Sequence, residues 1–253
     1  MKKLFGAIKN LKLRRFCYGR IVREVDSMQY VARKLLFFCC ILTLCLTGCA
    51  AKQSTVQGVQ LSDREEKIAA LGNYMVGILE FSLQEDVQGY LLQREIWKYG
   101  ELAEESIAAY GGADSLEALY IGHKQEKNSE GAPEITWELL RVRKDGYGKG
   151  SPFLRVAFPE CKDKEFSWSS QFWGQNRTEP IVLEAGKSYI LAVESIDLGN
   201  DGWMDVGCGE YAEQEQNIKD SDCVILLRMD TFATAKEAKA EAETREQENR
   251  AKL

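Results

Sequence analysis

The sequence predicts a mainly β domain, an antiparallel β-sandwich or jelly-roll-like fold with a short N-terminal helix and a solvated C-terminal helix. Three observations predict it. Short runs of branched and aromatic residues recur between residues 78 and 229, turn residues separate them, and the chain ends in a charged, alanine-rich segment. Apolar residues make up 45% of the chain and charged residues 28%, which is compatible with one packed core.

A short helix is predicted at the start of the domain. Ser62 followed by Glu65 has the spacing of a capping box, in which each side chain bonds the backbone N–H of the other residue. Ile68 and Leu71 follow at helical intervals. The helix should end near Gly72, because glycine is common just after the last turn of a helix.

Four strand segments follow this helix. Their branched and aromatic residues indicate extended chain, and Tyr99-Gly100 supplies a turn because glycine tolerates a positive φ. The segments are residues 78–83, 90–99, 102–110 and 116–123.

The clearest strands lie later, at residues 134–143, 181–183, 188–197 and 223–229. In the first of these, Ile135, Trp137 and Leu139 alternate with polar residues, which predicts one buried face and one wet face. In the last, apolar residues occupy both faces. That pattern is typical of a strand in the middle of a sheet.

The tail at residues 233–253 consists almost wholly of Ala, Glu, Lys, Arg and Gln. Pairs such as Glu241 and Arg245 stand four residues apart and support a helix. Because no large apolar residue precedes Leu253, we expect a solvated helix that frays or projects freely.

Charge is divided sharply along the chain. Residues 1–48 hold ten basic and two acidic residues, a balance of +8, whereas 23 basic and 37 acidic residues follow, a balance of −14. Phosphate binding needs a clustered cationic face. The acidic domain is therefore not expected to bind nucleic acid.

The N-terminal part has the features of an export signal. Arg33 and Lys34 precede a mostly apolar run at residues 35–46, which is shorter than the roughly 20 residues of a spanning helix. The tetrapeptide Leu46-Thr47-Gly48-Cys49 then resembles the lipobox of bacterial lipoproteins. This resemblance implies that the signal, residues 1–48, is cut off and that the Cys49 thiol carries diacylglycerol.

Lipid attachment at Cys49 would place the domain on the extracytoplasmic face of the cell membrane, with membrane lipid as its partner. We then expect a tether at residues 49–60, a β-rich globular domain at residues 61–232 and the charged tail beyond it. Residues 1–27 have two interpretations. Either Met28 is the true start of an ordinary signal, or a genuine basic segment lies on the cytoplasmic face of the membrane.

Only three cysteines, Cys161, Cys208 and Cys223, lie beyond Cys49. They allow at most one disulfide, and the sequence leaves open whether any forms. Cys223 opens an apolar run and is expected to pack as a small apolar side chain.

A polar loop carries a candidate metal site. Asp197, Asp201 and Asp205 recur at four-residue intervals, and Gly202 follows the second of them. The pattern resembles calcium loops of the integrin-propeller and dockerin kind, and calcium prefers carboxylate oxygens as ligands. Gly199 stands where those loops carry Asp or Asn. The alternatives are a calcium site and a polar hairpin.

An aromatic segment carries a candidate ligand site. Trp168 and Trp173, with nearby phenylalanines, could present a stacking surface for sugar rings. The alternative is that these rings fill the core, which is the commoner use of aromatic side chains.

Residues for catalysis are few. His123 is the sole histidine, which excludes a site built on two histidines, and its place at the end of a strand favours a structural or surface role. Two groups of carboxylates could supply an acid and a base for glycoside cleavage. They are Glu101, Glu104 and Glu105 in the first group and Asp205 and Glu210 in the second.

These features favour a non-enzymatic binding or adhesion module with an envelope glycan or envelope protein as its ligand, because no catalytic motif stands out. The alternative is a carboxylate-based hydrolase that acts on envelope or extracellular glycans.

Overall fold

The structure is a computed structural model that describes residues 52–71, 74–143, 145–147, 151–159, 167–173, 179–197 and 206–252. These ranges contain thirteen strands and three α-helices. The strands are β1 (Thr55–Val59), β2 (Met75–Ser82), β3 (Gly89–Lys98), β4 (Glu101–Gly112), β5 (Ala118–Lys127), β6 (Pro133–Arg143), β7 (Gly146–Tyr147), β8 (Ser151–Ala157), β9 (Ser167–Phe172), β10 (Ile181–Val182), β11 (Ser188–Asp197), β12 (Gly209–Glu210) and β13 (Cys223–Phe232). The helices are α1 (Asp63–Leu71), α2 (Tyr211–Asp220) and α3 (Ala235–Lys252).

The described strands form two antiparallel sheets, which confirms the predicted sandwich-like fold class. A seven-stranded sheet has the order β10-β1-β2-β5-β6-β7, with β8 also paired to β6. A six-stranded sheet has the order β12-β11-β13-β3-β4, with β9 also paired to β11. The main core lies between the sheets and includes Leu79, Tyr90, Leu119, Trp137 and Ile225, all of them buried.

The strand predictions are confirmed where the sequence pattern is clearest. In β6 the alternating residues Ile135, Trp137 and Leu139 are buried. β13, apolar on both faces, lies between β11 and β3 in the middle of its sheet. Tyr99 and Gly100 join β3 to β4 with φ values of 51° and 78°, so this hairpin uses the left-handed region that its glycine favours.

The folded domain begins earlier than residue 61, where we expected it. Residues 55–59, assigned to the tether, form β1 and pair with both β2 and β10. Val56 is fully buried, and this burial holds the segment in the sheet. The helix that follows is confirmed with its capping box: the Ser62 backbone N–H donates to Glu65 at 2.8 Å, and the Glu65 N–H donates to the Ser62 hydroxyl at 3.4 Å.

The C-terminal helix is confirmed and most of its side chains are exposed, but the expectation that it projects freely is wrong. α3 packs against β3, β4 and β13. Ala238 and Ala242 are fully buried there, since small side chains allow the helix a close approach to the sheet. The helix therefore docks without a stripe of large apolar residues. No helix in the described ranges is long and apolar enough to cross a bilayer.

Arg245 provides the polar part of this docking. Its guanidinium lies 3.0 Å from Asp230 of β13 and 3.2 Å from Glu105 of β4, and it also donates to the Gln93 side chain of β3. Glu241, one turn earlier in the helix, holds the Arg245 Nε at 2.7 Å. One side chain thus joins α3 to three strands.

A second arginine, Arg228, lies near Arg245 on the outer side of the six-stranded sheet and shares its partner Asp230. Arg228 donates to the buried Glu95 at 2.8 Å and to Asp230 at 2.7 Å, and it lies over the ring of Tyr211 from α2. Burial alone lowers the pKa of Arg228, but attraction and hydrogen bonds from Asp230, together with Glu95, outweigh it and raise the pKa. Burial, with the charge of Glu95, raises the pKa of Tyr211. Arg228 therefore stays charged.

We expect Arg245→Ala to lower the free energy of unfolding by about 2 kcal/mol, because it leaves Glu105 without its ion-pair partner and removes one of the two arginines that hold the buried Asp230. Arg250→Ala, at an exposed position of the same helix, is the matched control and should change stability by less than about 0.5 kcal/mol. Urea unfolding followed by circular dichroism measures both. Equal stabilities of the two variants would contradict this account of how α3 docks.

Candidate functional site

The outward side of the seven-stranded sheet is a surface that the described α-helices leave largely uncovered. In β2, β5 and β6 the side chains that alternate with the buried ones point away from the six-stranded sheet. Of the described helices, α1 is the one that packs on these strands, at β2. We call this surface the open face. Its outward residues are Val59, Val76, Ile78, Glu80, Ala118, Tyr120, Gly122, Lys124, Thr136, Glu138, Leu140 and Val142.

A row of apolar side chains crosses the open face from strand to strand. Val59 of β1 is in register with Ile78 of β2, Ile78 with Tyr120 of β5, and Tyr120 with Leu140 of β6. Tyr120 is 37% exposed and the other three are half-buried. We call these four residues the apolar stripe. Partly exposed apolar rows of this kind, bordered by polar groups, are typical of binding surfaces.

Two depressions adjoin the apolar stripe. One, of about 320 Å³, lies where β1 ends and is lined by residues that include Val59, Ile78 and Glu66. The other, of about 580 Å³, lies beside Tyr120 and is lined by residues that include Glu80 and Arg143. Pockets that bind small molecules measure about 300–1,000 Å³, so each depression has the size of a ligand subsite.

Tyr74 and Glu138 form a hydrogen-bonded polar pair at the edge of the apolar stripe. The Tyr74 hydroxyl donates to Glu138 at 3.0 Å. The Tyr74 ring lies beside Gly122, where an added Cβ would stand in ordinary contact with it at 3.4 Å. The hydrogen bond to Glu138, aided by some burial, raises the pKa of Tyr74, which keeps the hydroxyl protonated as a donor.

Acidic groups dominate the rim of the open face. Glu80, Glu117 and Glu138 are exposed there. The described basic groups on this face are paired with acids: Arg143 lies 2.7 Å from Asp145, Lys124 2.6 Å from Glu126, and the exposed Arg155 of β8 3.2 Å from Glu134. The hydrogen bond from Lys124 lowers the pKa of Glu126 and raises that of Lys124. Among the described residues, the rim therefore carries an excess of negative charge.

Trp168 and Trp173 do not form one exposed surface. Trp168, on the edge strand β9, is 42% exposed, whereas Trp173 is 3% exposed and packs edge-on against Tyr189 with ring centroids 5.8 Å apart. Trp173 thus belongs to the core, which is the alternative given in the sequence analysis for these aromatic rings. The physical reason is that β9 covers β2 so closely that a Cβ on Gly77 would meet the Phe172 ring at 2.8 Å.

The other predicted ligand residues fall mostly outside the described ranges. Asp197 is the last residue of β11, in register with Ser167 of β9. Asp201 and Asp205 lie outside the described residues, so the calcium loop stays a prediction. Cys49, the predicted lipid attachment site, also lies outside them, as does Cys161. Cys223 is buried in the core, and the Cys208 thiol lies 3.5 Å from the carbonyls of Gln171 and Leu191.

His123 lies in the core rather than at a surface site. Its Nε2 is 3.1 Å from Oε2 of Glu194, and the two side chains are 2% and 0% exposed. Trp137 donates to the same oxygen at 3.1 Å, and Gln125 donates to the other at 2.7 Å. Glu194 belongs to the six-stranded sheet and its three neighbours belong to the seven-stranded sheet. The cluster joins the two sheets, in agreement with the structural role, one of the two expected for this histidine.

Three of the carboxylates considered for catalysis are engaged in ion pairs. Glu104 pairs with Arg94, Glu105 with Arg245, and Glu210 with Lys187. Asp205 lies outside the described residues, and Glu101 is exposed at the start of β4. The ion pairs of Glu104, Glu105 and Glu210 are those of structural and surface charges.

The residues of the open face were not singled out from the sequence. A signal was available, because Tyr120 stands between Leu119 and Ile121, so it must face away from whatever buries them. Its partners Ile78 and Leu140 follow only from the register of three strands. Tyr74 precedes β2 and joins the site through a hydrogen bond across 64 positions.

Comparison with known proteins gives no match. No protein-family model matches the chain, and neither a curated protein nor a solved structure matches it.

We expect Glu194→Ala to destabilise the protein by about 3 kcal/mol or more, because it leaves the Trp137 and Gln125 donors buried without their acceptor. Glu130→Ala, at an exposed turn position, is the control and should stay within about 0.5 kcal/mol of the parent protein. Thermal and urea unfolding measure the difference. Unchanged stability of Glu194→Ala would show that the cluster does not hold the sheets together.

Proposed function

We propose that this protein is a lipid-anchored, extracytoplasmic binding module that takes an envelope glycan or envelope protein as its ligand and performs no catalysis. Its anchor is the acylated Cys49, and its binding surface is the open face.

The observation that carries the proposal is the sequence Leu46-Thr47-Gly48-Cys49 immediately before a folded domain. Only five residues separate Cys49 from Thr55, where β1 begins. Six extended residues reach about 20 Å, so a lipid on Cys49 would hold the sandwich close to the bilayer surface. Two or more acyl chains anchor a protein stably, whereas one holds it marginally.

The open face supports the binding part of the proposal. Helices α2 and α3 cover strands of the six-stranded sheet, while on the outward side of β5 and β6 Tyr120 and Glu138 are exposed. An antiparallel sheet usually presents polar residues on a solvated face. Here Ile78, Tyr120 and Leu140 stand in a row instead, which favours a ligand that covers them.

The carboxylates favour binding over hydrolysis. A glycosidase needs two carboxyl groups that face each other across the scissile bond. Glu104, Glu105 and Glu210 are each held by a basic partner instead. Buried Glu194 holds the core together and touches three side chains of the opposite sheet.

We expect the mature protein expressed in a bacterial host to begin at residue 49, to carry diacylglycerol on that sulfur and to sediment with membranes. Cys49→Ser should abolish the lipid, because serine offers no thiol for the thioether bond. The variant protein should then move from the detergent phase to the aqueous phase. Cys45→Ser, four residues earlier, is the matched control and should be processed normally. Mass spectrometry of the purified protein and detergent phase partitioning measure both. A retained segment 1–48 with an unmodified Cys49 would contradict the anchor.

A further inference from the structure

We propose that the open face binds a neutral polysaccharide laid across the strands, with Tyr120 as the ring on which a sugar stacks. This inference rests on the proposed function, since it names the ligand class and the place where that ligand binds. The apolar stripe, the two depressions and the acidic rim carry it together.

The apolar stripe is long and narrow. Its four residues lie on four neighbouring strands, β1, β2, β5 and β6, in continuous register. Neighbouring strands are about 4.8 Å apart, so the stripe extends about 14 Å across the sheet. The depressions of about 320 and 580 Å³ adjoin it at Val59 and at Tyr120. An elongated ligand therefore fits this surface better than a compact one.

Tyr120 supplies the stacking contact. Pyranose rings present C–H bonds on their faces and hydroxyls at their edges, so each face is apolar while the perimeter is polar. Among the stripe residues Tyr120 is the most exposed, at 37%, and Ile78 and Leu140 support it from the strands on either side. Tyrosine combines a large apolar body with a polar tip, which suits contact with such a ring.

The polar groups beside the stripe suit hydroxyl recognition. Tyr74 donates to Oε1 of Glu138, which fixes that carboxylate next to the stripe and leaves the tyrosine oxygen able to accept. Glu80 lies at the other side of Tyr120, in the larger depression. Carboxylates accept hydrogen bonds from hydroxyl donors, and charged acceptors make the stronger bonds.

Charge decides between neutral and anionic polymers. Glu80, Glu117 and Glu138 border the stripe, and Arg143 and Lys124 are neutralised by Asp145 and Glu126. A polyanion such as an acidic polysaccharide or a nucleic acid would be repelled by this rim. A neutral glycan would not be repelled by these carboxylates, and its hydroxyls could donate hydrogen bonds to them.

The same surface is less suited to a protein partner. Stable protein interfaces bury roughly 800 Å² on each side around a cluster of fully buried apolar anchors. The stripe offers a single exposed ring, and its three other members are already half-buried. The observations therefore favour the glycan, and capture of a protein at Tyr120 is an outcome that would count against it.

The test uses the full-length lipoprotein in detergent micelles and isothermal titration with three hexasaccharides. Two are neutral, the β-1,4-linked hexamers of glucose and of N-acetylglucosamine, and one is the anionic hexamer of galacturonic acid. We expect at least one neutral hexamer to bind and the anionic hexamer to bind at least tenfold more weakly.

Variants of Tyr120 locate the contact. Tyr120→Ala should weaken binding roughly tenfold, which corresponds to about 1.4 kcal/mol, whereas Tyr120→Phe should stay within about twofold of the parent protein. Tyr120→Leu keeps an apolar side chain between Ile78 and Leu140, so it should lose affinity without losing stability. Tyr110→Ala is the matched control, a tyrosine of the same 37% exposure on β4 of the other sheet, and should bind normally.

Three results would overturn the inference: neither neutral hexamer binds at millimolar concentration, the anionic hexamer binds more tightly, or Tyr110→Ala abolishes binding while Tyr120→Leu does not. Any of these with a lipidated Cys49 removes the glycan site and leaves the anchor intact. An unlipidated Cys49 in the same sample, whatever the titration shows, contradicts the proposed function instead.

Discussion

Glu194 is a carboxylate with no solvent exposure that takes its partners from the opposite sheet. Trp137 and Gln125 donate to its two oxygens, and His123 approaches one of them at 3.1 Å. A buried carboxylate is costly unless its oxygens are satisfied, so the two sheets can pack only in the arrangement that brings these groups together. Apolar contacts supply most of the stability of such a core, while this polar cluster selects one relative position of the sheets.

With the sheets in that position, their two outer faces differ in how far the α-helices cover them. The six-stranded sheet has two kinds of residue on its outer side. Buried apolar residues such as Val224 and Leu226 pack against Ile218 of α2, and the carboxylates Asp230 and Glu105 pair with Arg245 of α3. The seven-stranded sheet has Ile78, Tyr120 and Leu140 in a row on its outer side, and none of the described α-helices packs extensively on β5 or β6. The described α-helices thus cover one outer face, and the other keeps a row of partly exposed apolar side chains.

The fold could be predicted to a large extent because its strands are locally consistent. Alternation in β6, two apolar faces in β13 and the Tyr99-Gly100 turn each reflect a short-range preference that the sheets preserve. The candidate site could be predicted far less. Tyr120 carries the signal of its own exposure, but its neighbours come from strands about 40 residues before and 20 after it, and strand register is not a local property. Trp173, a plausible sugar contact in the sequence, is buried because β9 lies close over Gly77.

By itself the sequence determined the acidic character of the domain, the two-sided patterning of its strands and the capping box of α1, and it predicted an export signal that ends at Cys49. These depend on neighbours within a few residues, so no knowledge of the fold is needed to read them. Only the tertiary structure decided that Thr55–Val59 joins a sheet, that α3 docks through alanines and Arg245, and that His123 lies in the core beside Glu194. Each of those outcomes is a contact between residues far apart in the chain, and such contacts form only when the whole core sets the distance between them.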